Sequence, residues 1–183
     1  MKDSWEGPWL RAAQRAPSPY CDERPAGSSV DLLVLHAISL PPENFGSGEV
    51  QRFFQGTLDF DRHPYYEQLR ELRVSAHFFV ERDGQIWQHV AVDRRAWHAG
   101  VSQWQGRERC NDFSVGIEIE GSATQPFADA QYAALSRLIP ALWSYFPALD
   151  RRAIAGHAEI APGRRWDPGP YFDWQRLWRE LAI

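Results

Sequence analysis

Lysine is almost missing from this chain: of twenty basic residues only Lys2 is a lysine, and arginine takes every other position. Cysteine is nearly as scarce, with Cys21 and Cys110 alone. Two thiols build no disulfide framework and fit a reducing compartment. No apolar run approaches the roughly 18 residues needed to cross a bilayer. The first thirty residues hold no apolar stretch of the kind a secretory signal needs, so the expected location is cytoplasmic. An excess of positive charge is absent too. A formal net charge of −4 offers no general attraction to nucleic acid or an anionic membrane, so neither is expected as a partner. Repeats, low-complexity tracts and long charge blocks do not occur.

What is present suits a soluble globular chain. Its 183 residues, 44% hydrophobic and 24% charged, can bury one real core. We expect a single domain over residues 1–183, with residues 1–29 as an arm packed on it. Nine tryptophans are unusual and point to a fold or cleft with much flat aromatic surface.

Residues 1–29 read as a short helix or coil followed by an extended arm. "DLLVLHA" (31–37) is a near-continuous apolar run, as in a buried strand, and it delivers His36 to a loop rich in proline and glycine. "EVQRFFQGTL" opens as a short helix. "AHFFVERDGQIWQHVAV" predicts a hairpin with a two-residue turn at Asp83-Gly84. "FSVGIEIEG" alternates, with Val115, Ile117 and Ile119 on one face and Gly116, Glu118 and Glu120 on the other. "DAQYAALSRLIPALWSYF" is apolar at helical spacing, and Pro140 is expected to kink or break it. "RRAIAGH" predicts a short strand and "DWQRLWREL" a closing helix. The stretch 93–112 has no clear period and is expected to wrap the surface. This order of elements fits an α/β or α+β fold with a mixed sheet.

The segment "HAEIAPGRRWDPGP" (157–170) is too rich in proline and glycine for a regular helix or central strand, and it holds His157 and Asp167. His36 and His157 both end predicted strands, where ligand and catalytic groups collect. Two histidines and a carboxylate, with a fourth position for water, form a known catalytic zinc set. Spacing alone leaves the alternative open, a satisfied core histidine and an ordinary loop hydrogen bond, because no compact zinc motif is present. A carboxylate within so apolar a strand either faces a cleft or is buried at considerable cost. Glu118 is the better candidate for a general base, while Glu120, nearer the strand end, suits a solvated face. His63, His77 and His89 read as structural. Trp97 and His98 could line a groove or fill the core. Arg73, by itself, reads as a surface charge.

Taken in order, "VLHAISLPP", "RVSAHFFVERDGQIWQHV", "RAWHAGVSQWQGRERCNDFSVGIEIEG" and "GHAEIAPGRRWDPGPYFDW" resemble the AmpD-type N-acetyl-anhydromuramyl-L-alanine amidases. These belong to the type 2 amidase and peptidoglycan recognition protein superfamily. The resemblance runs from about residue 8 to about 178. It implies a central mixed β-sheet packed by helices, with zinc in a groove over the sheet. It implies His36, His157 and Asp167 as zinc ligands, Glu118 as the catalytic carboxylate, and Arg73 and Trp97 as grips on a muropeptide. The implied reaction cleaves the amide between the lactyl group of anhydro-N-acetylmuramic acid and L-alanine, on a small anhydromuropeptide, and we expect a monomer.

Two positions depart from the family. Arg165 stands where lysine is usual two residues before the zinc aspartate. Arginine can donate hydrogen bonds to an oxyanion but no proton, since its pKa exceeds about 12. Ala37 stands where asparagine commonly follows the first zinc histidine. Two other functions compete. One is an endolysin-like amidase on intact peptidoglycan, which requires a route out of the cytoplasm. The other is a non-catalytic peptidoglycan-binding module, a class that typically lacks one zinc ligand.

Overall fold

A computed structural model describes residues 4–183. Its organising element is a six-stranded mixed sheet. The strands are β1 (Gln14–Arg15), β2 (Leu32–Ile38), β3 (Phe78–Val80), β4 (Ile86–Gln88), β5 (Ser114–Glu120) and β6 (Ile154–Gly156). They lie in the order β6-β2-β5-β3-β4-β1. Neighbours from β6 to β3 run parallel, β3 and β4 pair antiparallel, and β1 closes the edge parallel to β4. Among the described residues four α-helices complete the frame: α1 (Glu49–Phe54), α2 (Asp129–Tyr145), α3 (His157–Ile160) and α4 (Trp174–Leu181).

The two-residue period of the strands divides their side chains between two unlike faces. Leu33 and Leu35 of β2, Phe78 and Val80 of β3, and Val115, Ile117 and Ile119 of β5 point to one face. There they pack on Leu135, Leu138, Ile139 and Leu142 of α2 and on Leu177 and Leu181 of α4. Asp173 caps α4 by accepting from Arg176 N at 2.9 Å. Buried Gln131 locks α2 to the sheet, donating to Glu120 O at 2.8 Å and accepting from Ala128 N at 2.9 Å. On the opposite face the sheet is covered in two separate patches. Phe79 packs with Phe53, Phe54, Tyr66 and Leu69, while Leu32 and Val34 pack with Ala99, Cys110, Phe113 and Ile160. Between these patches the carboxyl ends of β2 and β5 are left for the site.

Several expectations need correction. Residues Trp5–Glu6 and Trp9–Leu10 form a small antiparallel ribbon where a short helix or coil was expected. The β3–β4 turn has three residues, Arg82 to Gly84. Gly84 N donates to Glu81 O, Gly84 takes φ 86°, and Glu81 N then pairs with Gln85 O. That is a type I turn followed by a left-handed residue. Helix α2 runs unbroken through Pro140. One helical turn, α3, occupies the start of the segment expected to be irregular; its prolines begin only at Pro162, so nothing in "HAEI" forbids a turn. The stretch 93–112 does more than cover the surface. It adds Arg94–Ala96, paired with Cys21–Glu23, a ribbon of Gln103–Trp104 with Arg107–Glu108, and buried residues beneath the site.

Candidate active site

Register alone brings the first pair together. In the parallel β2–β5 ladder His36 lies opposite Glu118, and both leave the sheet on the face away from α2. His157 follows β6 directly, so its ring arrives beside His36 from the neighbouring strand. Asp167 returns from the far end of the same loop, held where Ala158 N donates to Asp167 O at 2.8 Å.

The three side chains meet through one atom each. His36 Nδ1 lies 2.9 Å from His157 Nδ1 and 3.3 Å from Asp167 Oδ2, and His157 Nδ1 lies 3.1 Å from the same oxygen. All three residues are buried. Donor atoms around a tetrahedral divalent ion, with bonds of roughly 2.0–2.1 Å, sit about 3.3–3.4 Å apart. The observed triangle is slightly tighter than that, and it sets two nitrogens and a carboxylate oxygen on one point. The cluster therefore fits a metal ion.

Electrostatics agree with that use. Burial pushes the His36 imidazole down to about 4, so the ring is neutral, as a metal ligand must be. Burial alone would raise the Asp167 carboxyl, but the adjoining His157 and His36 rings outweigh it and hold the group below the usual carboxylate range. Glu118 goes the other way. Burial, followed by the nearby Asp167 charge, raises its carboxyl well above the ordinary value, and Arg165 offsets this only in part. Its Oε1 sits 4.0 Å from His36 Nδ1, and its buried Oε2 has no hydrogen-bond partner among the described residues. Two carboxyls with opposed shifts beside one metal-binding point are suited to two roles, ligand and proton carrier.

A cleft of about 440 Å³ opens over this point, lined among others by Ala37, Leu69, Trp97, Glu118, Arg165 and Trp166. Arg165 is exposed and makes no ion pair among the described residues, so its charge is available to the cleft. Trp97 is positioned by its indole N–H, which donates to Asp22 Oδ1 at 3.2 Å, and Tyr20 stacks on it with ring centroids 6.3 Å apart. The structure thus gathers His36, His157, Asp167, Glu118, Arg165 and Trp97 at one cleft. Arg73 stands apart from that lining. Its guanidinium donates to Arg70 O and Leu72 O and lies 5.7 Å over the Tyr20 ring, at the rim. The surface-charge reading of Arg73 fits this exposure.

Family and structural relatives agree with one another. Residues 26–170 match the family described as N-acetylmuramoyl-L-alanine amidase. This chain belongs to that amidase family. The 1,6-anhydro-N-acetylmuramyl-L-alanine amidase AmpD of Haemophilus influenzae is 52% identical over 176 residues, covering 96% of this chain and 95% of the relative. A crystal structure of a selenomethionine AmpD derivative superimposes with a TM-score of 0.93 at 50% identity, covering 96% of this chain and 98% of the other. The amidase AmiD from Escherichia coli, in complex with the substrate anhydro-N-acetylmuramic acid-L-Ala-D-gamma-Glu-L-Lys, gives a TM-score of 0.61 at 30% identity. That match covers 86% of this chain and 60% of AmiD. The amidase cleft also contains what the sequence did not single out. His98, weighed only as a groove or core residue, sits with Nδ1 2.9 Å from His36 Nε2, and Asn111 and Ser114 fix it. Gly116, unfilled within an otherwise bulky strand, was the available signal: a Cβ there would lie 2.4 Å from the His98 ring.

Glu120 is the clear misreading. It is 2% exposed, and it accepts from Gly46 N at 2.6 Å and Arg82 N at 3.0 Å. It ties two loops to the end of β5 and faces no solvent. His77 and His89 are structural as expected: His77 Nδ1 accepts from Gly116 N, and His89 Nδ1 donates to Ala16 O.

Proposed function

We propose that this chain is a zinc-dependent amidase that hydrolyses the bond between the lactyl group of 1,6-anhydro-N-acetylmuramic acid and the L-alanine of the stem peptide. Its setting is the recycling of cell-wall fragments in the cytoplasm, with a single domain working as a monomer. The observation that carries the reading is the pairing of a His36–His157–Asp167 point with the unpartnered Glu118 carboxyl in one cleft. AmpD relatives of nearly the same length, and the anhydromuropeptide bound to AmiD, support the substrate. Among the described residues no helix is long and apolar enough to cross a membrane.

His36, His157 and Asp167 would hold the zinc, which when bound supplies Lewis acidity to a carbonyl and makes water nucleophilic near neutral pH. The protein's own groups do the rest. Glu118, its carboxylate poorly solvated, takes the proton from the attacking water and returns it to the departing amine of L-alanine. Arg165 donates hydrogen bonds to the oxyanion formed at the lactyl carbonyl. It cannot protonate the amine, so the whole proton transfer falls to Glu118. Trp97 provides a flat face for the substrate, and Arg73 at the rim meets stem-peptide carboxylates.

The test is to incubate the protein with soluble anhydromuropeptides and with intact peptidoglycan in separate reactions, then analyse the products by mass spectrometry. Anhydro-N-acetylmuramic acid and free peptide are expected from the first alone. Peptide released from intact wall at a comparable rate would replace this reading with the endolysin-like one. Failure to cleave either after zinc addition would favour a binding module.

A further inference from the structure

Each metal-facing histidine has a second ring nitrogen, and both are met by consecutive residues of one loop. His36 Nε2 lies 2.9 Å from His98 Nδ1, and His157 Nε2 lies 3.1 Å from Ala99 O. The loop is held by two side chains. Asn111 Oδ1 accepts from His98 N at 3.1 Å and Ala99 N at 2.8 Å, and Arg164 donates to Ala99 O at 2.6 Å and to Val101 O. Gly116 leaves the space in which the His98 ring lies across β5.

Proton positions in this network follow by elimination. Ser114 Oγ lies 2.6 Å from Cys110 O, and a carbonyl only accepts, so the serine proton points there. The serine oxygen can then only accept at its other contact, 3.2 Å from His98 Nε2, which must carry a hydrogen. With its hydrogen directed to Ser114 from Nε2, His98 offers Nδ1 as the acceptor for His36 Nε2–H across their 2.9 Å contact. His36 Nδ1 is thereby left bare toward the metal point. His157 needs a shorter chain: Ala99 O only accepts, so the facing Nε2 carries a hydrogen and Nδ1 is the ring nitrogen turned to the metal point.

We propose that the His98–Ala99 segment is a tautomer clamp: the relay Cys110 O–Ser114–His98 fixes His36, and Ala99 O fixes His157, each with Nδ1 as the ligand atom. The inference rests on the metal-site reading above. His98, Ser114 and Asn111 are positioning residues that act through the ligands. Trp97 lines the cleft and directly precedes the clamp, so the segment that touches substrate also sets the metal ligands.

The experiment uses the full chain labelled with ¹⁵N-histidine. Long-range ¹H–¹⁵N spectra of the zinc-free protein, assigned with single-histidine variants, report which ring nitrogen bears the proton. His36 and His157 are expected in the Nε2–H form. His98→Phe keeps a ring but removes the acceptor; His36 should lose its pure Nε2–H form, and zinc affinity against a competing chelator should fall about 10- to 100-fold. His98→Asn puts an amide oxygen near the Nδ1 position and should recover most of that affinity. Ser114→Ala, the milder change, should leave His98 as a mixture of tautomers. The clamp is overturned if His36 keeps the Nε2–H form in His98→Phe, or if the Phe and Asn variants lose zinc equally, since ring volume would then be the cause. Failure of the unaltered chain to bind zinc would overturn the metal reading instead, while the zinc-free spectra judge the clamp separately.

Discussion

At the scale of single residues, Glu118 carries a conflict between stability and chemistry. Burial raises its folded pKa well above the ordinary 4.5. Between those two values the folded chain keeps a proton that the unfolded chain has released, so stability falls as pH rises through the window. Glu118→Gln removes the titration while keeping the shape. In chelator-treated protein its thermal midpoint should exceed the parent's at neutral pH, with the gap closing below about pH 4. Loss of the proton carrier should lower kcat by roughly 10²- to 10⁴-fold. Equal midpoints at neutral pH would mean that the folded carboxyl ionises freely. Arg165 makes a narrower prediction. As a hydrogen-bond donor to an oxyanion, its replacement by Ala should reduce kcat by about 10²- to 10³-fold with little change in KM. Arg165→Lys, which restores the positive charge, should recover much of the rate. An unaltered kcat in Arg165→Ala would remove the residue from the mechanism.

At the scale of elements, β5 does three jobs, and its side chains separate them. Val115, Ile117 and Ile119 anchor it to α2, Glu118 enters the cleft, and Gly116 lets the His98 ring cross. Gly116→Ala should therefore be costly although the change is small. Its Cβ would fall 2.4 Å from His98 Cγ, so the ring must shift. Overpacking of this kind costs about 1–3 kcal/mol, and the displaced ring should also weaken metal binding. Urea unfolding with and without chelator would measure both losses; an unchanged zinc affinity would separate ring placement from ligand geometry. The alternation of "FSVGIEIEG" made the two faces of β5 readable, and with them Glu118. Glu120 shared that alternation and was misjudged, because the backbone donors that bury it come from residues 46 and 82, in distant loops. His98 was hidden for the same reason: its partners His36 and Ser114 lie on two different strands, and no local period reports them. Pro140 shows the reverse error. Local chemistry predicted a kink or a break, and α2 does not break, with Leu138, Ile139 and Leu142 around the proline buried in the core. Tertiary packing overrode the local preference. The proposed metal ligands were singled out only through the whole-chain resemblance, because residues 36, 157 and 167 meet through sheet order rather than through spacing.

At the scale of the whole molecule, metal and fold are nearly separate. The main apolar cluster, between the sheet and helices α2 and α4, contains none of the three ligands, which lie on the opposite face. The segments that carry these residues are also tied together without an ion, because Ala158 N donates to Asp167 O and the loop carbonyl of Ala99 takes the outer nitrogen of His157. Removing the metal should therefore leave the fold standing and cost only the binding increment. That increment is about 4 kcal/mol when free zinc exceeds its dissociation constant a thousandfold. Chelation should lower the thermal midpoint while the far-ultraviolet circular dichroism at 25 °C stays the same, and zinc should restore the midpoint in a concentration-dependent way. His36→Ala should abolish that zinc-dependent rise. Its zinc-free midpoint should also drop, since a buried ring is deleted. A chain that unfolds on chelation would contradict the separation, because the ligand triangle would then be holding β2, β6 and the 157–170 loop together rather than resting on them.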